Sequence, residues 1–112
     1  MRNYALYLKD VLAAIESIET FIAGMDFDTF QADDKTTSAV IRKLEVIGEA
    51  VKQIPDEARQ QHATIPWKEM AGMRDRLIHF YFGVDYRLVW KAITERLPQV
   101  KQEIGEMLED AG

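Results

Sequence analysis

The sequence predicts an all-α protein, namely an antiparallel up-down four-helix bundle with one or two short extra helices. Apolar residues recur at three- and four-residue steps along four long stretches, and no stretch shows the polar–apolar alternation of a half-buried strand. The 112 residues include only three prolines and six glycines, which suits long helices. This length fits one domain spanning residues 1–112, with a single core.

The first two predicted helices are amphipathic. The first ends near Gly24, and a polar connection from Asp26 to Lys35 follows, with room for a short helical turn. The second ends at Pro55, because the residue before a proline is pushed out of the α region. The apolar stripe of the first helix consists of Tyr4, Leu8, Val11, Ile15, Ile18, Ile22 and Met25. That of the second consists of Val40, Leu44, Ile47, Val51 and Ile54.

Two prolines mark the next helix starts. Pro55 opens a brief helix with acidic residues in its first turn, over residues 55–59, and Pro66 opens the third long helix. The third helix should end near Gly83, a candidate left-handed cap. Its inward residues are predicted to be Trp67, Met70, Met73, Leu77 and Phe80.

The fourth long helix is predicted to begin after Asp85, whose carboxylate can cap it. Pro98 should kink or interrupt this helix, because proline has no N–H to donate and its ring collides with the preceding turn. Exposed phenylalanine and tyrosine side chains are expected to remain for a dimer surface. The apolar stripe of the fourth helix consists of Tyr86, Val89, Trp90, Ile93, Leu97, Val100, Ile104 and Leu108.

Composition excludes several functional classes. A net charge of −5 argues against a protein that coats nucleic acid, because non-specific affinity for phosphates comes from lysine and arginine, so any RNA contact must be local. The absence of cysteine excludes disulfides and thiolate zinc sites, and with two histidines we expect no metal centre and no cofactor. The N-terminal stretch has charges every few residues and no uninterrupted apolar run, so we expect a cytoplasmic protein without a membrane span.

The third helix carries an anomaly. Arg74 and Tyr81 fall within or beside the arc of apolar residues, where a core helix would place aliphatic side chains. Burying an arginine is costly unless it is paired, so this arc is expected to border a polar cleft or an interface groove. His79 lies five positions from Arg74, about 140° around the helix. Either the helix loosens towards Gly83, or a second copy of the chain completes the groove.

These residue types can cleave RNA without a metal. The reaction needs a base for the 2′-hydroxyl, a proton donor to the leaving 5′-oxygen, and positive charge on the phosphorane. His79 can transfer the protons, and Arg74 can grip the phosphate in bidentate fashion. Asp75 can orient His79, Arg76 adds attraction for the backbone, and Tyr81 can donate a hydrogen bond or stack on a base. In a dimer, two His79 side chains could divide the acid and base roles.

The same residues also have simpler interpretations. An arginine and a histidine five positions apart are a weak signal, because a surface ion pair and a histidine that caps the helix would produce the same pattern. The second histidine, His62, is predicted to be a solvated loop residue. Glu45 on the second helix could pair at the surface with Arg42, or brace the arginine of the third helix.

Two segments carry a family resemblance. Residues 65–85 contain an arginine, four residues, a histidine, any residue and a tyrosine, at Arg74, His79 and Tyr81. Together with residues 42–50, this stretch resembles the HepT-like branch of the HEPN superfamily across almost the whole domain. The residue after the arginine is commonly asparagine in that family, whereas Asp75 adds a negative charge here.

The resemblance implies a helical HEPN bundle, usually a homodimer, that acts as the toxin of a toxin–antitoxin pair and cuts RNA without metal. It implies Arg74 and His79 as the catalytic pair. The partner implied is a minimal nucleotidyltransferase antitoxin, which silences the toxin by transferring AMP to the motif tyrosine, here Tyr81.

Two other functions compete with the ribonuclease. The bundle could be a non-catalytic module that binds a nucleotide or a partner and acts with a nucleotidyltransferase. It could also supply the substrate-binding chain of a two-chain transferase. A ribonuclease should lose RNA cleavage when His79 is replaced, whereas a binding module should form a tight complex and cleave nothing.

Overall fold

The computed structural model describes residues 4–79 and 85–111, with side chains described for residues 4–73 and 85–110. All regular structure in these ranges is helical, so the predicted all-α class is confirmed. The elements are α1 (Ala5–Ile22), α2 (Phe27–Ala32), α3 (Asp34–Lys52), α4 (Asp56–Gln61), α5 (Trp67–His79), α6 (Tyr86–Lys91), a π-helical turn (Ala92–Arg96) and α7 (Leu97–Ala111). Since α6, the π turn and α7 are continuous, they form the fourth long helix, and α2 and α4 are the two short extra ones.

The long helices pack in the order α7, α1, α3, α5. Lys101 near the start of α7 donates to Glu19 near the end of α1, with 2.9 Å between Nζ and Oε1, so these two helices run in opposite directions. This bond to Glu19 also raises the pKa of the Lys101 ammonium. Tyr7 near the start of α1 shares a groove with Gln53 after the end of α3, so α1 and α3 are antiparallel as well.

The core is built from the predicted stripes. Phe30 of α2 is fully buried and joins the four-helix core from the side. Met107, rather than Leu108, is the fully buried residue near the end of α7. The other large side chains with less than two per cent exposure are Leu8, Val11, Ile15, Ile18, Thr37, Val40, Leu44, Val51, Ile54 and Ile104. Among the residues whose side chains are described, every phenylalanine and tyrosine except the buried Phe30 is partly exposed, and the expected aromatic dimer surface stays a prediction.

The connection between the first two long helices holds more helix than predicted. Gly24 turns the chain with a φ of 78°, a conformation that glycine adopts without strain. Asp26 then caps α2 by accepting from the Thr29 N–H at 2.8 Å, and Asp33 caps α3 by accepting from the Thr36 N–H at 3.1 Å. Because each carboxylate satisfies a free N–H group, two helices begin within a stretch that looks merely polar.

Two prolines act differently from one another. Pro55 lies one residue before α4 in an extended conformation, as the residue that precedes the helix rather than its first helical residue. Pro98 lies inside the fourth long helix, and the predicted disturbance takes the form of the π turn just before it. Proline has no N–H to donate to the carbonyl four residues back, and its ring crowds that carbonyl. The wider π turn relieves this crowding. In the described ranges, no helix has both the length and the hydropathy to span a bilayer.

Candidate active site

The sequence motif lies on the second half of α5 and the residues that follow it. Arg74, Asp75, Arg76 and His79 all belong to α5, for which the backbone is described beyond Met73 but the side chains are not. Tyr81 and the predicted helix end at Gly83 lie outside the described residues. The positions of the four helical residues on α5 are therefore read from the backbone.

Hydrogen bonds fix the start of α5. The indole N–H of Trp67, a buried residue, is shared between the main-chain carbonyls of Arg59 at 3.1 Å and His62 at 3.0 Å. The guanidinium of Arg59 in turn donates to the carbonyls of Ile54 at 2.9 Å and Val51 at 3.0 Å. The end of α3, the short α4 and the start of α5 are thus joined by one network. His62 lies in a loop, as predicted, but it is half-buried rather than solvated.

The chain is anchored again immediately after the motif. The carboxylate of Asp85 accepts from the N–H groups of Arg87 at 3.0 Å and Leu88 at 3.2 Å, which confirms the predicted cap of the fourth long helix. The rings of Tyr86 and Trp90 lie 6.5 and 5.0 Å from the ring of Phe30, between centroids. The motif therefore connects two segments whose positions are set by the core.

Arg74 and His79 occupy different sides of α5. Arg74 lies four positions after the buried Met70, about 40° around the helix, so its position is on the packed side. His79 lies nine positions after Met70, about 180° around, and shares the side of the exposed Lys68. The backbone of α5 is α-helical up to His79, and the approach to Gly83, where the helix was predicted to loosen, lies outside the described residues. Both alternatives from the sequence, a loosened helix end and a second copy of the chain, therefore stay predictions.

Charge is distributed unevenly along the chain. From Lys68 to Arg96 the sequence has six lysines and arginines against four aspartates and glutamates. The rest of the chain has eight against fifteen. The segment that contains the motif is therefore positive in a protein whose net charge is −5. A positive segment of this kind can attract phosphate groups locally.

An ion pair that no sequence pattern predicts links α5 to the fourth long helix. The guanidinium of Arg96, at the end of the π turn, contacts the carboxylate of Glu69 in the first turn of α5. Both side chains are more than half exposed, so the pair contributes little to stability. It shows, however, that the π turn lies beside the first turn of α5. Pro98, two residues after Arg96, predicted an irregular turn in this helix. It gave no indication that the Arg96 side chain would contact α5.

Surface pairing is the observed role of one acidic residue on α3. Glu45 lies 3.9 Å from Arg42, between Oε1 and Nη1, and the Arg42 side chain is largely exposed. This contact agrees with the first of the two interpretations of Glu45. The second interpretation, in which Glu45 braces Arg74, stays a prediction because the Arg74 side chain lies outside those described.

Comparison with known proteins identifies relatives over nearly the full length. A family model described as "Ribonuclease HepT-like" matches residues 11–107, which include the whole motif. A protein of Thermococcus cleftensis named "Probable ribonuclease HepT" is 52% identical over 100 residues, covering 89% of this chain and 91% of the relative. A protein of Caldanaerobacter subterraneus subsp. tengcongensis whose name begins "Putative RNase" is 45% identical over 109 residues, covering 97% of each chain. No solved structure matches the chain significantly.

Proposed function

The chain belongs to the HepT-like family of ribonucleases, a branch of the HEPN superfamily, and we propose that it is a metal-independent endoribonuclease with Arg74 and His79 as its catalytic pair. One observation carries the proposal: the family match over residues 11–107 includes the arginine, histidine and tyrosine in the spacing that the family resemblance implies. The positive charge of the segment from Lys68 to Arg96 supports an RNA substrate. Residues 1–112 are proposed to act as one such domain.

In the proposed reaction, His79 removes the proton from a ribose 2′-hydroxyl, and the 2′-oxygen attacks the adjacent phosphorus. The bond from phosphorus to the 5′-oxygen breaks, and that oxygen takes a proton from an imidazolium. The products are a 2′,3′-cyclic phosphate and a free 5′-hydroxyl, so no water and no metal are needed for this step. Arg74 stabilises the charge that develops on the phosphorane, and Arg76 attracts the flanking backbone. Asp75, four residues before His79, orients the ring and favours its charged form.

We propose that the active form is a homodimer in which two motifs share one groove. The support is the register of α5, since Arg74 and His79 lie about 140° apart on a regular helix and need a second element to meet on one phosphate. Around a two-fold axis, Arg74 of one subunit can approach His79 of its partner. The two histidines can then serve as base and acid in the same reaction.

The test compares two histidine variants of the purified full chain. His79→Ala should lose cleavage of RNA by about two to four orders of magnitude, which is the usual contribution of acid–base catalysis. His62→Ala, which removes the other histidine at the end of α4, should cut at the wild-type rate. Cleavage should persist in EDTA. Equal activity in the two variants, or an enzyme silenced by EDTA, would refute the assigned chemistry.

We propose in addition that the enzyme acts in the cytoplasm as a toxin, silenced by a minimal nucleotidyltransferase that transfers AMP to Tyr81. An adenylyl group adds a phosphodiester anion and a base two residues from His79, where it blocks the groove and competes for Arg74. Mass spectrometry after coexpression with the nucleotidyltransferase should find one adenylyl group on Tyr81 and none on the Tyr81→Phe variant. Neutralised toxicity without that group would refute silencing by modification.

A further inference from the structure

The exposed side of α6 carries two basic residues, Arg87 and Lys91. They lie four positions apart, so they share one side of the helix about 6 Å apart along its axis. Both are exposed, and no carboxylate among the described residues forms an ion pair with either. Asp85, two residues before Arg87, is engaged in capping the helix, and Glu95, four residues after Lys91, forms no ion pair with it. We call this the α6 basic face.

The Glu69–Arg96 ion pair joins α5 to the helix that continues α6. From the contact, the chain runs away along α5 to its end at His79, and it returns along α6 and the π turn to the same contact. The α6 basic face therefore lies on the part of the chain that leads back from the proposed catalytic residues to this contact.

The α6 basic face is also close in sequence to the proposed catalytic residues. Arg87 lies eight residues after His79, and Lys91 lies five residues before Arg96. The two basic residues of α6 thus follow the stretch of α5 from Arg74 to His79 directly along the chain.

The side chain of Arg87 is held in place on an aromatic ring. Its guanidinium carbon lies 4.2 Å from the ring centroid of Phe27, a cation–π contact with α2. A guanidinium stacked in this way keeps its N–H groups at the edge, where they can donate to phosphate oxygens. Leu88, between the two basic residues, is one of two large apolar side chains that are strongly exposed in the described part of the chain, at 54%. An apolar side chain there can pack against a ribose or an unstacked base.

We propose that Arg87 and Lys91 bind the phosphodiester backbone of the RNA strand beside the phosphate that is cut, with Leu88 packing against the strand between them. This inference rests on the proposed ribonuclease function only for the location of the cut. It explains how an acidic protein holds RNA: the attraction is confined to one side, and the strongly acidic remainder of the chain contributes none of it.

The experiment measures binding separately from cleavage. A fluorescent 2′-O-methyl oligoribonucleotide cannot be cut through its 2′-oxygen, so its anisotropy reports affinity for the full chain at several salt concentrations. In the double variant Arg87→Gln/Lys91→Gln, the slope of log affinity against log salt should become less negative by about 0.7 for each phosphate that the protein no longer neutralises. Extrapolated from 1 M salt, the same slope predicts about a fivefold weaker affinity per phosphate at 0.1 M salt.

A matched control changes charge elsewhere. Lys9→Gln/Lys52→Gln removes two exposed lysines at the start of α1 and the end of α3, which is the end of the bundle where α5 begins. The control should bind like the wild type. Lys91→Glu provides a second variant, because the Lys91 side chain makes no hydrogen bond or ion pair with another described residue, and it should bind more weakly while its helical circular dichroism is unchanged.

Each outcome decides the inference. It is overturned if the wild type does not bind the oligonucleotide, if the α6 variants keep its affinity and salt slope, or if the lysine control weakens binding equally. Cleavage of unmodified RNA is recorded in parallel. A wild type that cuts RNA, with binding unchanged in the α6 variants, would retain the proposed function and lose this inference. A wild type that binds through α6 and cuts nothing would retain this inference and lose the proposed function.

Discussion

The indole N–H of Trp67 donates to the main-chain carbonyl of Arg59, whose guanidinium reaches back to two carbonyls at the end of α3. A buried aromatic residue and a half-buried arginine thereby set where α5 begins. Every later position on α5, Arg74 and His79 included, depends on this starting point, since the helix is regular from Trp67 onwards.

Trp67→Phe should destabilise the protein by about 1–3 kcal/mol, because two carbonyls that share the indole N–H lose their donor inside a packed site. Urea unfolding followed by circular dichroism measures the change. Trp90→Phe is the matched control, since no described residue accepts from the Trp90 indole and the smaller ring keeps contact with Phe30. An equal loss in the two variants would mean that ring size, not the hydrogen bond, decides the effect.

Asp85→Ala should cost about 0.5–2 kcal/mol, because the first N–H groups of α6 lose the carboxylate that accepts from them. Asp85→Asn keeps an acceptor and should remain within a few tenths of a kcal/mol of the wild type. Thermal unfolding checks both. RNA cleavage should fall in the alanine variant if the start of α6 helps to position the residues between α5 and α6. A melting temperature unchanged in Asp85→Ala would show that this cap is dispensable.

The caps of α2 and α3 should make stability depend on acid pH. Hydrogen bonds from the Thr29 and Thr36 N–H groups hold the pKa values of Asp26 and Asp33 below their usual 3.8. A lowered pKa in the folded state means that the stabilisation is complete above the unfolded pKa and disappears as the pH falls through the folded pKa. The free energy of unfolding should therefore decline below about pH 4.

Asp26→Asn/Asp33→Asn tests that origin. Both amides can still cap, but neither titrates, so the double variant should show a shallower decline of unfolding free energy between about pH 4 and pH 2. Denaturant titrations at a series of pH values measure the slope. A decline as steep as that of the wild type would assign the acid sensitivity to other carboxylates.

Complementation between two inactive chains tests the shared groove. Arg74→Ala and His79→Ala should each be inactive, but unfolded together and refolded they should recover measurable activity, at most about a quarter of that of the wild type. Half of randomly formed dimers are mixed, and each keeps one of its two Arg74–His79 pairs if Arg74 of one subunit works with His79 of the other, while the loss of the second histidine lowers its rate further. No recovery, with mixed dimers present by native mass spectrometry, would place both residues of a working site in the same subunit.

The architecture followed from local rules. Apolar spacing at Leu8, Leu44 and Ile104 predicted which sides of the long helices are buried, because the helical repeat is a property of the backbone and needs no partner. The cap at Asp85 and the disturbance at Pro98 were predictable for the same reason, since each involves groups within about one turn. The caps at Asp26 and Asp33 were missed, although they also act locally, because two short helix starts resemble a polar loop.

For the candidate site too, some features follow from the sequence and others only from the tertiary structure. The sequence by itself determined which residues are available for the proposed chemistry, since an arginine and a histidine on one helix are chemical identities that folding does not alter. Only the tertiary structure decided what surrounds them. The Glu69–Arg96 pair, the ring beneath Arg87 and the network at Trp67 join groups from different helices. Such contacts depend on how far one helix slides and rotates against another, which the packing of the whole core determines and no local pattern encodes.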